Sequence, residues 1–459
     1  MRRPLPWAVL VALALAVAGA YAIVTEPQRR LDRWSEELEV RLETERTRHE
    51  ARRVAREPRI EAELHATIDG VLSLVPTPTP GERRTWFNEY YALAPESVWS
   101  SGYKRSGPGL VTPELERAGA RYRPFVAPLR ATLRCTRVAR AFDAEAARKP
   151  WKQWHADTSL VASAFNAVTA GFALEGVQDL EAGRPAEASR LLVDHWQLQH
   201  ELAQRGGLHE QAVSSKGPFC MGLAMAIVPR LGEAELDAFD RELEALDQGE
   251  PSLARAAEHD RLVLDVALRD GGFTEALDAG FRRVETGKLD VFATSLGKRR
   301  LAFIDRVDRL YGEVIEAVSL PEPWRVRAAV QDLLAHDQGL WGKTRNELSS
   351  PGEWNGSGPE DFEALATIVD DQLLDRAELR LARLLVAARR FAQARGRWPT
   401  SHAEALGREP TSKERDPFRG EPFVLEQAPG GALLAGTKDA VRLERRAVFT
   451  LPPLDASHR

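Results

Sequence analysis

Between Pro124 and Leu268 the chain is cut at short intervals by glycine and proline: Gly183 with Pro185, the pair Gly206-Gly207, Gly232, and Gly249 with Pro251. Each break carries helix stop and start chemistry, because glycine takes the left-handed position past a helix end and proline fits the first turn of the next. Between the breaks apolar residues recur at three- and four-residue spacing, and strand-like alternation is absent. The expected helices are Pro128–Ala147, Ser159–Ala182, Pro185–Arg205, Pro218–Pro229, Glu233–Leu246 and Ser252–Leu268, followed by Leu296–Val318, Pro323–Ala335 and Phe362–Arg395. The fold class that follows is mainly α: a helical array with one or more helical hairpins, plus a small C-terminal α+β module in which a helix packs on an antiparallel hairpin.

Apolar content of 43% and charged content of 29% belong to a globular chain. The net charge of −5 is small, and no basic block is interleaved with aromatics, so a nucleic-acid partner is not expected. Within the array, "AGRPAEASRLLVDHWQLQHELAQRG" has the texture of a tetratricopeptide helix pair. No fixed 34-residue period accompanies it, so one hairpin is expected rather than a solenoid.

The N-terminus sets the expected location. Trp7 to Val24 carries no charge and makes about 27 Å of helix, close to the ~30 Å of a bilayer's hydrocarbon core. Residues 1–25 read as a transmembrane signal anchor, with a signal peptide cut near Ala18-Gly19-Ala20 as the second reading. The chain is then single-pass in a bacterial inner membrane, touching the bilayer through residues 7–24, with its bulk periplasmic. Residues 26–74 read as a charged stalk helix, with a coiled-coil contact at Trp34, Leu38 and Leu42 as its alternative. After the linker Val75–Glu82, residues 82–340 form the exported helical domain, 341–361 a Gly/Ser/Pro loop, and 362–459 the long helix with the α+β module.

Chemistry is sparse. His195, His200 and His209 lie near Glu201 and Glu210, but a five-residue step turns about 500°, so His195 and His200 leave different faces of one helix. Asp371 and Asp375 are i,i+4 neighbours beside Asp370, and read either as an acid/base or metal pair or as acids in an early turn of the helix pairing with Arg376 and Arg380. Cys135 and Cys220 read as buried thiols or as one bridge. Trp86, Phe87, Tyr90, Tyr91 and Trp99 read as core, with a ligand platform as the alternative. No nucleophile elbow, phosphate loop or dinucleotide fingerprint occurs. No catalytic residue, cofactor or metal site is assigned, and the small-molecule ligand is unknown.

The C-terminal segment is more explicit. Leu374, Ala377, Leu381, Leu384, Leu385, Ala388 and Phe391 make one apolar stripe, with Arg376, Arg380, Arg383 and Arg390 facing away. Gly396 and Pro399 stop the helix, and Ser401 with Glu404 reads as a capping box for a short second one. "DPFRG" from Asp416 is a turn signature, and "EPFVLEQ" with "GALLAG" reads as a hairpin, with "RAVFTLP" available as a third strand.

This order over residues 374–436 resembles the C-terminal half of type II secretion major pseudopilins, where a Tyr/Trp-Pro step, a short helix and an Asp-Pro-aromatic-Gly turn recur. The tail, with the helical middle at 159–268, also resembles large uncharacterised membrane-anchored proteins of planctomycetes and myxobacteria. "MRRPLPWAVL" has no prepilin-peptidase site and "AGTKDAVR", with Asp439, does not reproduce the pseudopilin calcium loop, so pilus assembly and calcium binding are not carried over. The expected function is a membrane-anchored, exported helical protein serving as an interaction or envelope-structure module with a protein partner in the envelope. Two alternatives stand: an exported hydrolase with its site between the helical array and Leu340–Asp361, or an accessory of a type II secretion or pilus-like system.

Overall fold

One helix, Pro359–Arg395, organises the molecule, because apolar residues cover several of its faces and no single neighbour can bury them all. At 1.5 Å per residue it runs about 55 Å. The computed structural model describes residues 25–45, 47, 70, 113–135, 168–203, 207–208, 218–249, 251–269, 289–336, 359–427, 431–437 and 448–452. In chain order the helices are α1 (residues 25–45), α2 (Pro113–Tyr122), α3 (Val126–Cys135), α4 (residues 168–181), α5 (Pro185–Ala203), α6 (Pro218–Ile227), α7 (Glu233–Gln248), α8 (Leu253–Arg269), α9 (Leu289–Val318), α10 (Pro323–His336), α11 (Pro359–Arg395) and α12 (His402–Leu406). They are followed by strands β1 (Val424–Gln427), β2 (Leu433–Gly436) and β3 (Val448–Leu451). The protein is mainly α, with a helical array, a helical hairpin at α4–α5 and a small C-terminal antiparallel sheet.

The breaks form as their residues dictate. Gly183 has φ 73° and donates its N–H to Leu180 at 3.1 Å, after which Pro185 opens α5. At the start of α7 the Glu235 carboxylate accepts the Gly232 N–H at 2.9 Å. Gly396 (φ 66°) closes α11 through a bond from its N–H to the Ala392 carbonyl at 2.9 Å. The capping box at α12 is displaced by one residue: Ser401 Oγ accepts the Glu404 N–H at 3.1 Å, while the Glu404 carboxylate accepts from Thr400 rather than Ser401, at 2.6 Å from its N–H.

Two cores are strung along α11. Its N-terminal half, through Leu365, Ile368, Leu373 and Ala377, joins α1, α8, α9 and α10. Its C-terminal half, through Leu381, Leu384, Leu385 and Ala388, joins α4–α7 and the apolar face of the sheet. The strands run β1-β2-β3, with Val424 opposite Gly436 and Leu433 opposite Leu451, so the third strand is present. Leu433, Ala435 and Leu451 point inward. The sheet packs on α6 and α11 and Trp398 fills the same core, so the tail is continuous with the helical body. The Asp416 turn reaches the other core: Asp416 Oδ1 accepts the Phe418 N–H at 2.9 Å, and the Phe418 ring lies under the Arg327 guanidinium at 5.8 Å.

Three expectations change. The single apolar stripe of α11 gives way to burial on several sides, with Arg380 and Arg389 both buried. Where a stalk was expected, residues 25–45 dock on the body: Trp34, Leu38 and Leu42 fill the α8/α9 core, and Arg30–Asp305 (3.2 Å), Arg41–Asp265 (2.8 Å) and Glu39–Arg269 pair across the junction. The spacing that reads as a coiled-coil seam is satisfied by this chain's own helices.

The transmembrane helix and signal anchor are likewise corrected: among the described residues no helix is long and apolar enough to cross a membrane. The long described helices carry ionisable groups throughout, as α11 does from Asp370 to Arg395. The run Trp7–Val24, with the bilayer contact assigned to 7–24, lies outside the described residues, as do the linker 75–82 and residues 341–358 of the expected loop 341–361, whose last three residues instead open α11.

Candidate functional site

The residues that sequence reasoning offered for chemistry are mostly architectural where they are described. His195 on α5 is buried, its Nε2 lying 3.0 Å from Thr169 Oγ1 and 2.7 Å from Gln199 Nε2, with the Phe172 ring 5.2 Å away. Such a histidine is a satisfied core group. His200 is half-buried, while His209, Glu210 and the Glu201 side chain lie outside the described residues. No group of three or more His, Cys, Asp or Glu side chains that could hold a metal occurs among the described residues.

Asp370 forms a two-pronged pair with Arg327 of α10, at 2.7 and 3.2 Å, and so ties α11 to α10 rather than capping its own helix. Asp371 and Asp375 are half-buried and have partners of their own. The Cys135 and Cys220 side chains, the aromatic cluster at 86–99 and Asp439 lie outside the described residues.

A site that sequence reasoning did not assemble lies between α7, α11 and α12. On α7, Asp237, Asp240, Glu244 and Asp247 fall at steps of three and four and share one face. On α11, Arg380, Arg383 and Arg390, at steps of three and seven, also share one face. The two rows meet antiparallel: Arg390 reaches Asp237 (2.6 Å) and Asp240 (3.0 Å), Arg383 reaches Asp240 (3.2 Å) and Glu244 (3.5 Å), and Arg380 pairs with Asp247 (3.5 Å). Arg380 also donates to the Arg415 carbonyl at 2.8 Å, fastening the ladder to the opposite wall.

That wall is α12 with the turn after it. Arg408 grips Glu414 at 2.7 and 2.5 Å, and Thr411 donates to the same carboxylate through its N–H and its hydroxyl, both at 2.8 Å. Arg408 thereby holds the Glu414 carboxyl at about 2, and the bond from Arg397 does the same for Glu404. His402 is buried, which pushes its pKa down to about 4, and its Nδ1 accepts the Phe423 N–H at 3.2 Å. The neutral ring therefore carries its proton on Nε2.

Between these walls is an open cleft of about 800 Å³. At pH 7 Glu404 and Glu414 are therefore ionised and His402 is neutral. What the cleft offers is fixed charge of both signs on walls locked by ion pairs. The signal for it was present as two rows of complementary charge at helical spacing, but nothing in a sequence states that α7 faces α11.

Compared with protein-family models, curated proteins and solved structures, the chain gives no significant match.

Proposed function

We propose that this protein is an interaction module: a helical body, braced by α11, that presents the α7/α11/α12 cleft to a segment of a partner protein. The observation that carries the reading is the cleft itself, whose walls are already paired within the fold through Arg380–Asp247, Arg383–Asp240, Arg390–Asp240 and Arg408–Glu414. Preorganised polar walls of this kind favour recognition, because the ordering cost is met within the fold rather than on binding.

The test is site-specific photo-crosslinking in cells of the source organism. Ala394, exposed on the cleft rim, is replaced by a photoreactive phenylalanine, and Val40, 67% exposed on α1, serves as the control position. A discrete protein adduct from position 394 and none from position 40 is expected. Adducts of equal yield from both, or none from 394, contradict the reading.

A second reading, an accessory of a type II secretion or pilus-like system, is favoured by one observation: the order α11, Gly396 stop, α12, Asp416 turn and hairpin is the order that resembles a major pseudopilin. Its test is a crosslink from the tail to a co-expressed pseudopilin; none above background contradicts it.

A further inference from the structure

The interaction reading leaves open what enters the cleft, and the groups lining it are not all engaged with each other. Asp240, Glu244 and Asp247 are paired with the arginines of α11, Glu414 with Arg408, and Glu404 with Arg397. Three lining groups remain without a partner among the described residues: the guanidinium of Arg395, the ammonium of Lys413 and His402 Nε2–H. His402 is only 3% exposed, its Nδ1 is tied to the Phe423 backbone, and its other nitrogen is left as a donor in a residue that lines the cleft. A donor that lines the cleft and has no acceptor within the fold is available to an acceptor on a ligand.

All three unpartnered groups are donors, two of them cationic, so the missing component is an acceptor with negative charge. The carboxylates of Glu404, Glu414 and Glu244 line the same cleft. They would repel a compact polyanion such as a di- or triphosphate. Single carboxylates spaced along a flexible chain meet the donors while keeping apart from the acids, and the paired arginines and acids can meet a peptide backbone.

We infer that the cleft binds an acidic peptide segment, with a Glu or Asp carboxylate received by His402 Nε2–H, Arg395 and Lys413. This rests on the interaction reading and names its ligand class.

The experiment uses the whole protein and fluorescence anisotropy of a labelled Gly-Glu-Gly-Glu-Gly peptide, beside its Gln and Lys counterparts, with inorganic phosphate as competitor. The Glu peptide binds, its affinity falls as salt rises, and the Gln and Lys peptides bind about tenfold more weakly or not at all. Lys413→Ala and Arg395→Ala each weaken binding about threefold, and the double variant about tenfold, with unchanged thermal unfolding because both side chains are exposed. His402→Asn, which keeps an acceptor for the Phe423 N–H and loses the Nε2–H donor, also weakens it; should that variant not fold, the double variant decides. Equal binding of the Gln peptide, wild-type affinity in the double variant, or displacement by phosphate at the peptide's own concentration overturns the proposal. If the peptide fails while position 394 still gives a protein adduct, the ligand class is wrong and the interaction module stands; loss of both removes both.

Discussion

Two buried titratable residues pull stability in opposite directions over one pH range. Burial raises the Asp265 carboxyl to about 6 despite Arg41 and Arg261 beside it, with Asp308 adding to the rise. The native state therefore takes up a proton that the unfolded chain, near 3.8, does not yet bind, and this residue's contribution grows as pH falls from about 6 to about 4. His402 is the reverse: with Glu414, Arg408 and Arg415 around it, burial holds the native ring neutral down to about 4 while the unfolded ring protonates below 6.5. Its contribution is lost as pH falls through that window. Each effect is on the order of 3 kcal/mol, because a tenfold change in proton affinity is worth about 1.4 kcal/mol, so they largely cancel. In denaturant titrations from pH 8 to pH 4, Asp265→Asn is expected to lose more stability on acidification than the wild type, and His402→Asn to gain. Parallel pH profiles for all three proteins would refute both assignments. Gly420 gives a sterically simpler case: its φ is 70° and an added Cβ would lie 2.8 Å from the Trp324 ring, so Gly420→Ala should cost at least about 2 kcal/mol of unfolding free energy.

At the scale of elements the sharpest difference between sequence and structure is α1. Its apolar residues at four-residue spacing were plain in the sequence, but periodicity reports that a face is buried and not against what. Leu38 is fully enclosed by the α8/α9 core while Val40, two residues on, is exposed. Leu38→Ala should therefore cost about 2–5 kcal/mol by chemical denaturation and Val40→Ala less than about 0.5. Equal, small effects would restore the free stalk. Helix ends were legible for the converse reason: Gly183, Gly232, Gly396 and Pro185 act through their own backbones, so the local sequence contains the cause. The α7/α11 ladder was only half legible, as two charged rows whose meeting depends on tertiary packing. His195 was misleading as a candidate because its partners, Thr169 and Gln199, satisfy it from positions that the histidine spacing does not reveal.

For the whole molecule, α11 contributes to both cores, and the tail closes one through Trp398 and the other through Phe418. Neither core is complete without that helix, so the described body should unfold in one transition rather than as separate domains. The same continuity makes the cleft a rigid feature, since one wall is the ion-paired α7/α11 ladder and the opposite one is braced by the Arg408–Glu414 and Arg380–Arg415 contacts. The central claim is that recognition happens there. Amide hydrogen exchange of the whole protein with and without the Gly-Glu-Gly-Glu-Gly peptide tests it most directly: protection is predicted at 395–414 and along α7, with exchange in α1, α8 and α9 unchanged, whereas protection confined to those three helices, or none anywhere, would contradict it.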